Sequence, residues 1–150
     1  MAIKGQGSEW RRFSATMDEY ENIRDFIMDE AEKAGLSAKE QMRLDLGMEE
    51  AVVNVLKYAY DIPGEVWLKV SKDGNEFTVD MADFGIPFNP LKKNAVPSPD
   101  IPLEEREPGG YGIMFMKKVF AKLDYSYEPI MGKDANHLRM VFSRIPGTGA

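Results

Sequence analysis

The sequence predicts an α+β fold, a two-layer α/β sandwich whose mixed, mainly antiparallel sheet carries about three helices on one face. Three observations lead there. Two adjacent stretches early in the chain space their apolar residues as helices do, and segments of strand composition follow in pairs separated by turn residues. One further helical stretch lies between those pairs, so the helices come as two and then one among about five strands.

Each element has its own signature. Residues 10–15 (WRRFSA) have the mixed apolar and polar content of an edge strand. From 18 to about 34, Tyr20, Ile23, Phe26, Ile27 and Ala31 recur at helical spacing, and Gly35 stands where a C-terminal cap belongs. Ser37, Ala38, Lys39 and Glu40 form a capping box: the serine accepts from the backbone of the third helical residue while Glu40 reaches back. A second helix therefore opens there and runs to about residue 58. Beyond Pro63 and Gly64, EVWLKV at 65–70 and EFTVDM at 76–81 read as antiparallel strands joined through KDGN at 72–75.

Residues 87–108 hold six of the nine prolines among charges, and a connection of that length in a compact domain reads as a lid or binding loop, or as disorder. After it, Gly109, Gly110, Tyr111 and Gly112 open a third helix, with Ile113, Met116 and Phe120 on one stripe and Lys117, Lys118 and Lys122 off it. Strands at 123–128 and 136–142 complete the sheet, the latter alternating Leu138, Met140 and Phe142, and 145–150 read as a frayed tail.

At 150 residues the chain fits one domain, with its core at about 8–144, and buries roughly two thirds of the surface its unfolded form exposes. Without cysteine there is no disulfide framework and no thiolate metal site. No apolar run approaches the length of a membrane span, and MAIKGQGSEW lacks the apolar core of a signal peptide, so a cytoplasmic protein is expected. A net charge of -6 argues against broad contact with nucleic acid, which needs a basic face.

Within the second helix one sector collects Met42, Leu46, Val53 and Leu56, and a stripe beside it collects Arg43, Gly47, Glu50, Asn54 and Lys57. Taken alone, that stripe reads as a solvated helix face. Two members resist the reading, because Asn competes for backbone hydrogen bonds and Gly costs about 1 kcal/mol relative to Ala. A group that must come close there is one reason to keep them. Glu49 projects into the middle of the apolar sector, where an unpaired carboxylate is costly; either the helix emerges from cover there, or a cation such as Arg12 or Arg139 meets it.

Three segments, Glu50-Ala51-Val52-Val53-Asn54, then Asp83-Phe84-Gly85-Ile86-Pro87-Phe88-Asn89-Pro90, then Gly109-Gly110-Tyr111-Gly112-Ile113, resemble in order and spacing the N box and the first and second glycine boxes of the GHKL ATP-binding superfamily. Within it the likeness, over roughly residues 8–144, is to the anti-sigma factor serine kinases of bacteria. This resemblance implies the histidine kinase-like ATPase fold, with ATP and Mg2+ as ligands. By the same resemblance Asn54 would hold the ion, which suits magnesium's preference for oxygen and for only one or two protein ligands, and Glu50, one turn earlier, would be the general base. Asp83 would accept from the adenine amino group, with Gly85 letting backbone approach the base.

The remaining roles follow from the same resemblance. Gly109, Gly110 and Gly112 would offer N–H groups and the positive dipole end of the third helix to the phosphates. The lid at 87–108 would fold over the nucleotide, bringing Arg106 or Lys92 to the phosphates, and Lys57 would be a further phosphate contact. Taken singly, DFGIP is a plausible turn, a glycine-rich helix start is a capping device, and Arg106 and Lys92 are plain surface charges. Asp-Phe-Gly also occurs in protein kinases, but no upstream glycine-rich loop, strand lysine or His-Arg-Asp loop accompanies it.

The implied activity is that of an ATP-dependent serine/threonine kinase and anti-sigma factor, which holds a sigma factor and phosphorylates a serine on a small antagonist protein; such proteins commonly form homodimers. Two alternatives stand beside it. A non-catalytic ATP-dependent switch has no need of Glu50. A detached histidine kinase catalytic domain is favoured by Lys57-Tyr58, where the serine kinases frequently carry a histidine at 58, and disfavoured by the lack of a phosphoacceptor helix. The lone His137 reads as a strand or turn histidine without a role.

Overall fold

The two long helices are divided at Gly35, whose φ of 90° glycine adopts without strain. Gly35 N–H donates to Glu32 O (3.0 Å) and Leu36 N–H to Ala31 O (3.1 Å), the paired closure that satisfies carbonyls left open at a helix end. The next helix starts with the capping box the sequence predicts: Glu40 N–H donates to Ser37 Oγ (3.1 Å), and Ser37 N–H to Glu40 Oε1 (2.8 Å). Glu40 is buried, and Arg144 Nε reaches both its oxygens at 3.0 and 3.1 Å. Burial alone raises a carboxyl, but the Ser37 backbone and the Arg144 guanidinium outweigh it and hold Glu40 below its ordinary 4.5.

The computed structural model describes residues 10–58, 64–87, 89, 91 and 112–144. In chain order the elements are β1 (Arg11–Ser14), a 3-10 turn (Met17–Glu19), α1 (Tyr20–Lys33), α2 (Ala38–Tyr58), β2 (Glu65–Asp73), β3 (Glu76–Asp83), α3 (Gly112–Val119), β4 (Lys122–Ile130) and β5 (Lys133–Ser143). The sheet has the order β1-β2-β3-β5-β4, and every pairing is antiparallel. Lys122, expected on the third helix, instead opens β4, because α3 ends at Val119 and the backbone turns into the sheet at Phe120 and Ala121.

Strand alternation divides the sheet into two faces. Phe77, Val79 and Met81 of β3 join Leu138, Met140 and Phe142 of β5 in the main core, against Ile23 and Ile27 of α1, Leu44, Met48 and Leu56 of α2, and Met116 of α3. The opposite face carries a small cluster of Trp10, Ala82 and Ala135. The helices thus lie on one face, as expected. Among the described residues no helix is long and apolar enough to cross a membrane.

Helix α2 is turned from the orientation its strongest hydrophobes suggest. Met42 and Leu46 are 68% and 54% exposed, while Leu44, Gly47, Met48, Ala51, Val52 and Leu56 are buried. The reason is the size of Gly47 and Ala51, which let neighbours approach closely yet weigh little in a hydropathy pattern. Glu49 follows the same rotation: it lies on the exposed side and needs no cation, while Arg12 pairs with Glu65 (2.8 Å) and Arg139 with Asp80 (3.5 Å).

On the open face, Asp80 is 1% exposed at the centre of the sheet. His137, on the neighbouring strand, sets Nε2 2.7 Å from Asp80 Oδ1 and Nδ1 3.2 Å from Glu128 Oε2, with Trp10 and His137 packed in a T-shaped ring contact. The Asp80 bond raises the imidazole above its ordinary 6.5 against the opposing effect of burial, and Glu128 adds to it. His137 is therefore a strand histidine that links β3 to the edge strand β4 across β5.

Two predictions follow from these elements. The β4–β5 hairpin turns at Met131 and Gly132, both left-handed at φ 54° and 81°. A methionine is strained there, so Met131→Asn raises unfolding free energy by about 0.5–1 kcal/mol in urea titrations. Because folded His137 holds its proton more tightly than the unfolded chain does, its contribution is fully present below 6.5 and is lost as pH rises through the raised folded value. Urea titrations from pH 6 to 9 will show that declining slope in the parent chain and a flatter profile in His137→Gln.

Candidate functional site

The stripe of α2 that carries Glu50 and Asn54 begins one turn earlier at a close helix contact. A Cβ on Gly47 would lie 2.8 Å from both Phe120 Cε2 and Val119 Cγ1, a separation that real side chains do not tolerate. Arg43, one turn before, donates through Nη2 to Lys118 O at 3.4 Å. The group that must come close to Gly47 is thus the end of α3. Successive turns of this stripe bring Glu50 and Asn54 onto the same flank, and both are half-buried.

Glu50 belongs to an acidic field at the start of α1. Burial, with the carboxylates of Glu49, Asp45 and Glu50, pushes the Tyr20 hydroxyl above its ordinary 10.0, while Arg24 opposes. Arg24 is itself clamped to Asp45 by two hydrogen bonds of 2.9 and 3.0 Å. Tyr20 thus remains a neutral phenol at neutral pH.

The second part of the site grows from the end of β3. Asp83 closes the strand on its helix-covered face and is 5% exposed. Gly85 N–H folds back to Asp83 Oδ1 at 3.0 Å, so the first glycine box leaves the sheet in a tight turn around the carboxylate. Asn136 of β5, in register opposite Asp83, donates from Nδ2 to the same Oδ1 at 3.0 Å and to Ile86 O at 2.9 Å, while its own Oδ1 accepts from the Tyr125 hydroxyl of β4. Burial raises the Asp83 carboxyl above its ordinary 3.8, and the Asn136 and Gly85 donors act against that rise.

Sequence reasoning named Asp83 and Gly85 and missed Asn136 and Tyr125. The signal was faint: an Asn flanked by Ala135 and His137 at the start of an apolar strand, and a Tyr one strand earlier. Past the turn, Leu91 N–H donates to Asn89 Oδ1 (2.9 Å), and Leu91 packs against the main core. The rest of the 87–108 segment, with Lys92 and Arg106, lies outside the described residues, as do Gly109, Gly110 and the side chain of Lys57. Gly112 is the first residue of α3.

An antiparallel five-stranded sheet with three helices on one face, a polar pair on the central helix and a buried aspartate ending the middle strand define a domain of the ATP-binding class that the sequence motifs resemble. The chain belongs to the histidine kinase-like ATPase domain family, whose family model matches residues 13–142. It is on that footing an ATP-binding domain of the kind that serves ATP hydrolysis and phosphate transfer. Among curated proteins none matches the chain.

The contact at Gly47 gives a direct test of how the site is held. Gly47→Val adds two methyl groups where no Cβ fits, so it lowers unfolding free energy by about 2 kcal/mol. The same variant loses ATP affinity in calorimetric titration at temperatures where it remains folded, because α3 is pushed off the stripe that carries Glu50 and Asn54.

Proposed function

We propose that this chain is an ATP-dependent serine/threonine protein kinase that also acts as an anti-sigma factor in the cytoplasm, holding a sigma factor and phosphorylating a serine on a small antagonist protein. The observation that carries the proposal is the pair on α2: Glu50 and Asn54, half-buried and one turn apart on the flank fixed by the Gly47 contact. A domain that only holds nucleotide has no use for a carboxylate at that place.

In the proposed reaction the serine hydroxyl oxygen attacks the γ-phosphorus, its proton passes to the Glu50 carboxylate, and the bond to the departing ADP oxygen breaks. Most of the acceleration in such a transfer comes from positioning and charge neutralisation, so a carboxylate at the right distance suffices as base. Magnesium, when bound, neutralises the phosphate charge. The donor fits it: the amide oxygen of Asn54 is a hard ligand of the kind magnesium takes from protein, with phosphates and water supplying the rest. Asp83 holds the adenine amino group, and Gly109, Gly110 and Gly112 cradle phosphates at the start of α3. Lys57, and Arg106 on lid closure, add positive charge there, and a homodimer presents two such sites.

Lys57-Tyr58 favours a second reading, the detached catalytic domain of a histidine kinase. The two part on the acceptor: an acid-stable phosphoserine on a partner in one case, an acid-labile phosphohistidine in the other.

Transfer from labelled ATP with magnesium to candidate antagonist proteins of the same genome tests the proposal. Glu50→Gln binds ATP within about threefold of the parent and loses at least about 100-fold in transfer rate; transfer at the parental rate would remove Glu50 from the role of base. Asn54→Ala abolishes the magnesium-dependent part of ATP binding in calorimetry.

A further inference from the structure

The hydrogen bonds around Asp83 go further than holding a loop. Asn136 Nδ2 sits 3.0 Å from Asp83 Oδ1, 2.9 Å from Ile86 O and 3.4 Å from Gly85 O, while Asn136 Oδ1 receives the Tyr125 hydroxyl. Turned over, the amide would set its oxygen against three acceptors, so its orientation is dictated by what surrounds it. The Tyr125 hydroxyl completes that arrangement from the other side, donating to the amide oxygen.

The consequence falls on Asp83. Its Oδ1 receives two N–H donors, from Gly85 and Asn136, and both favour the ionised carboxylate over the acid. An ionised carboxylate is acceptor-only, and one fixed in place cannot turn to offer a proton. Such a group rewards a base that presents an amino group and rejects one that presents a carbonyl oxygen in the same position. Sites that hydrogen-bond a particular substrate group discriminate strongly because a mismatched partner leaves buried polar atoms unpaired.

We propose that Asn136 and Tyr125 are positioning residues that set the discrimination of this site between 6-amino and 6-oxo purine nucleotides, acting through Asp83. The inference rests on the ATP-binding reading and adds to it two residues on β5 and β4. Without Asn136 the carboxyl loses a donor that favours its charge and a clamp on its rotation, so it can present an O–H to a 6-oxo base. Without the Tyr125 hydroxyl the amide of Asn136 loses one of the groups that hold it, and the clamp loosens in part.

The test is calorimetric titration of the full chain with ATP and with inosine triphosphate, in magnesium, for the parent, Asn136→Ala and Tyr125→Phe. The ratio of the two dissociation constants falls about tenfold in Asn136→Ala and about threefold in Tyr125→Phe, with the inosine nucleotide bound as in the parent or more tightly. Parallel loss of both nucleotides, with the ratio kept, overturns the inference and leaves these residues a purely structural role. Tyr125→Phe keeps nearly the same volume, so it carries the test if Asn136→Ala does not fold. A parent chain that binds both nucleotides equally overturns the inference and leaves ATP binding standing; one that binds neither overturns both.

Discussion

The missing side chain at Gly47 is the constraint on which the site is built. A helix pays for a glycine in conformational freedom and keeps one only where another atom occupies the space of a Cβ. Here Val119 and Phe120 occupy it. That contact fixes the far end of α3 against the stripe of α2 that goes on to Glu50 and Asn54, so the helix opened by the second glycine box and the helix bearing the N box form one rigid pair. Two motifs separated by more than fifty residues of sequence are thereby referred to a single steric contact.

The central strand does the complementary work. β3 is flanked on both sides and buried on both faces, so a polar residue on it must find a partner or be costly. It carries two aspartates, and the sheet treats them differently. Asp80, on the open face, is met by a histidine and an arginine and ties strands together. Asp83, on the helix-covered face at the strand end, is met only by neutral N–H donors from described residues, which orient a negative charge without cancelling it. A charge left in place at the end of a strand is available to a ligand, whereas one neutralised within the sheet serves the fold.

What could be read from the sequence was whatever is specified by neighbours in sequence. The capping box at Ser37 and Glu40, the cap at Gly35, the 74–75 turn and the boxes around Glu50 and Asp83 are local patterns with a local physical cause. The facing of α2 was misread because Met42 and Leu46 outweigh glycine and alanine on any hydropathy scale, while close packing values the small residues more. The turn at Met131 and Gly132 escaped notice because methionine is an unusual occupant of the left-handed region. Asn136 and Tyr125 escaped because their function exists only in the register of β5 with β3 and β4, which no single segment contains.

The Ser37–Glu40 cap looks like the most local device in the molecule, yet its acid is also held by Arg144, 104 positions along the chain. Helix ends ordinarily fray and exchange their amide hydrogens through small openings that leave the rest of a protein intact. At this end, release of Glu40 also strips a buried carboxylate of its guanidinium and frees Arg144, the residue that follows the final strand. Opening of the first turn of α2 therefore costs the loss of this long-range ion pair as well as of the local cap, which ties the start of the helix to the end of β5.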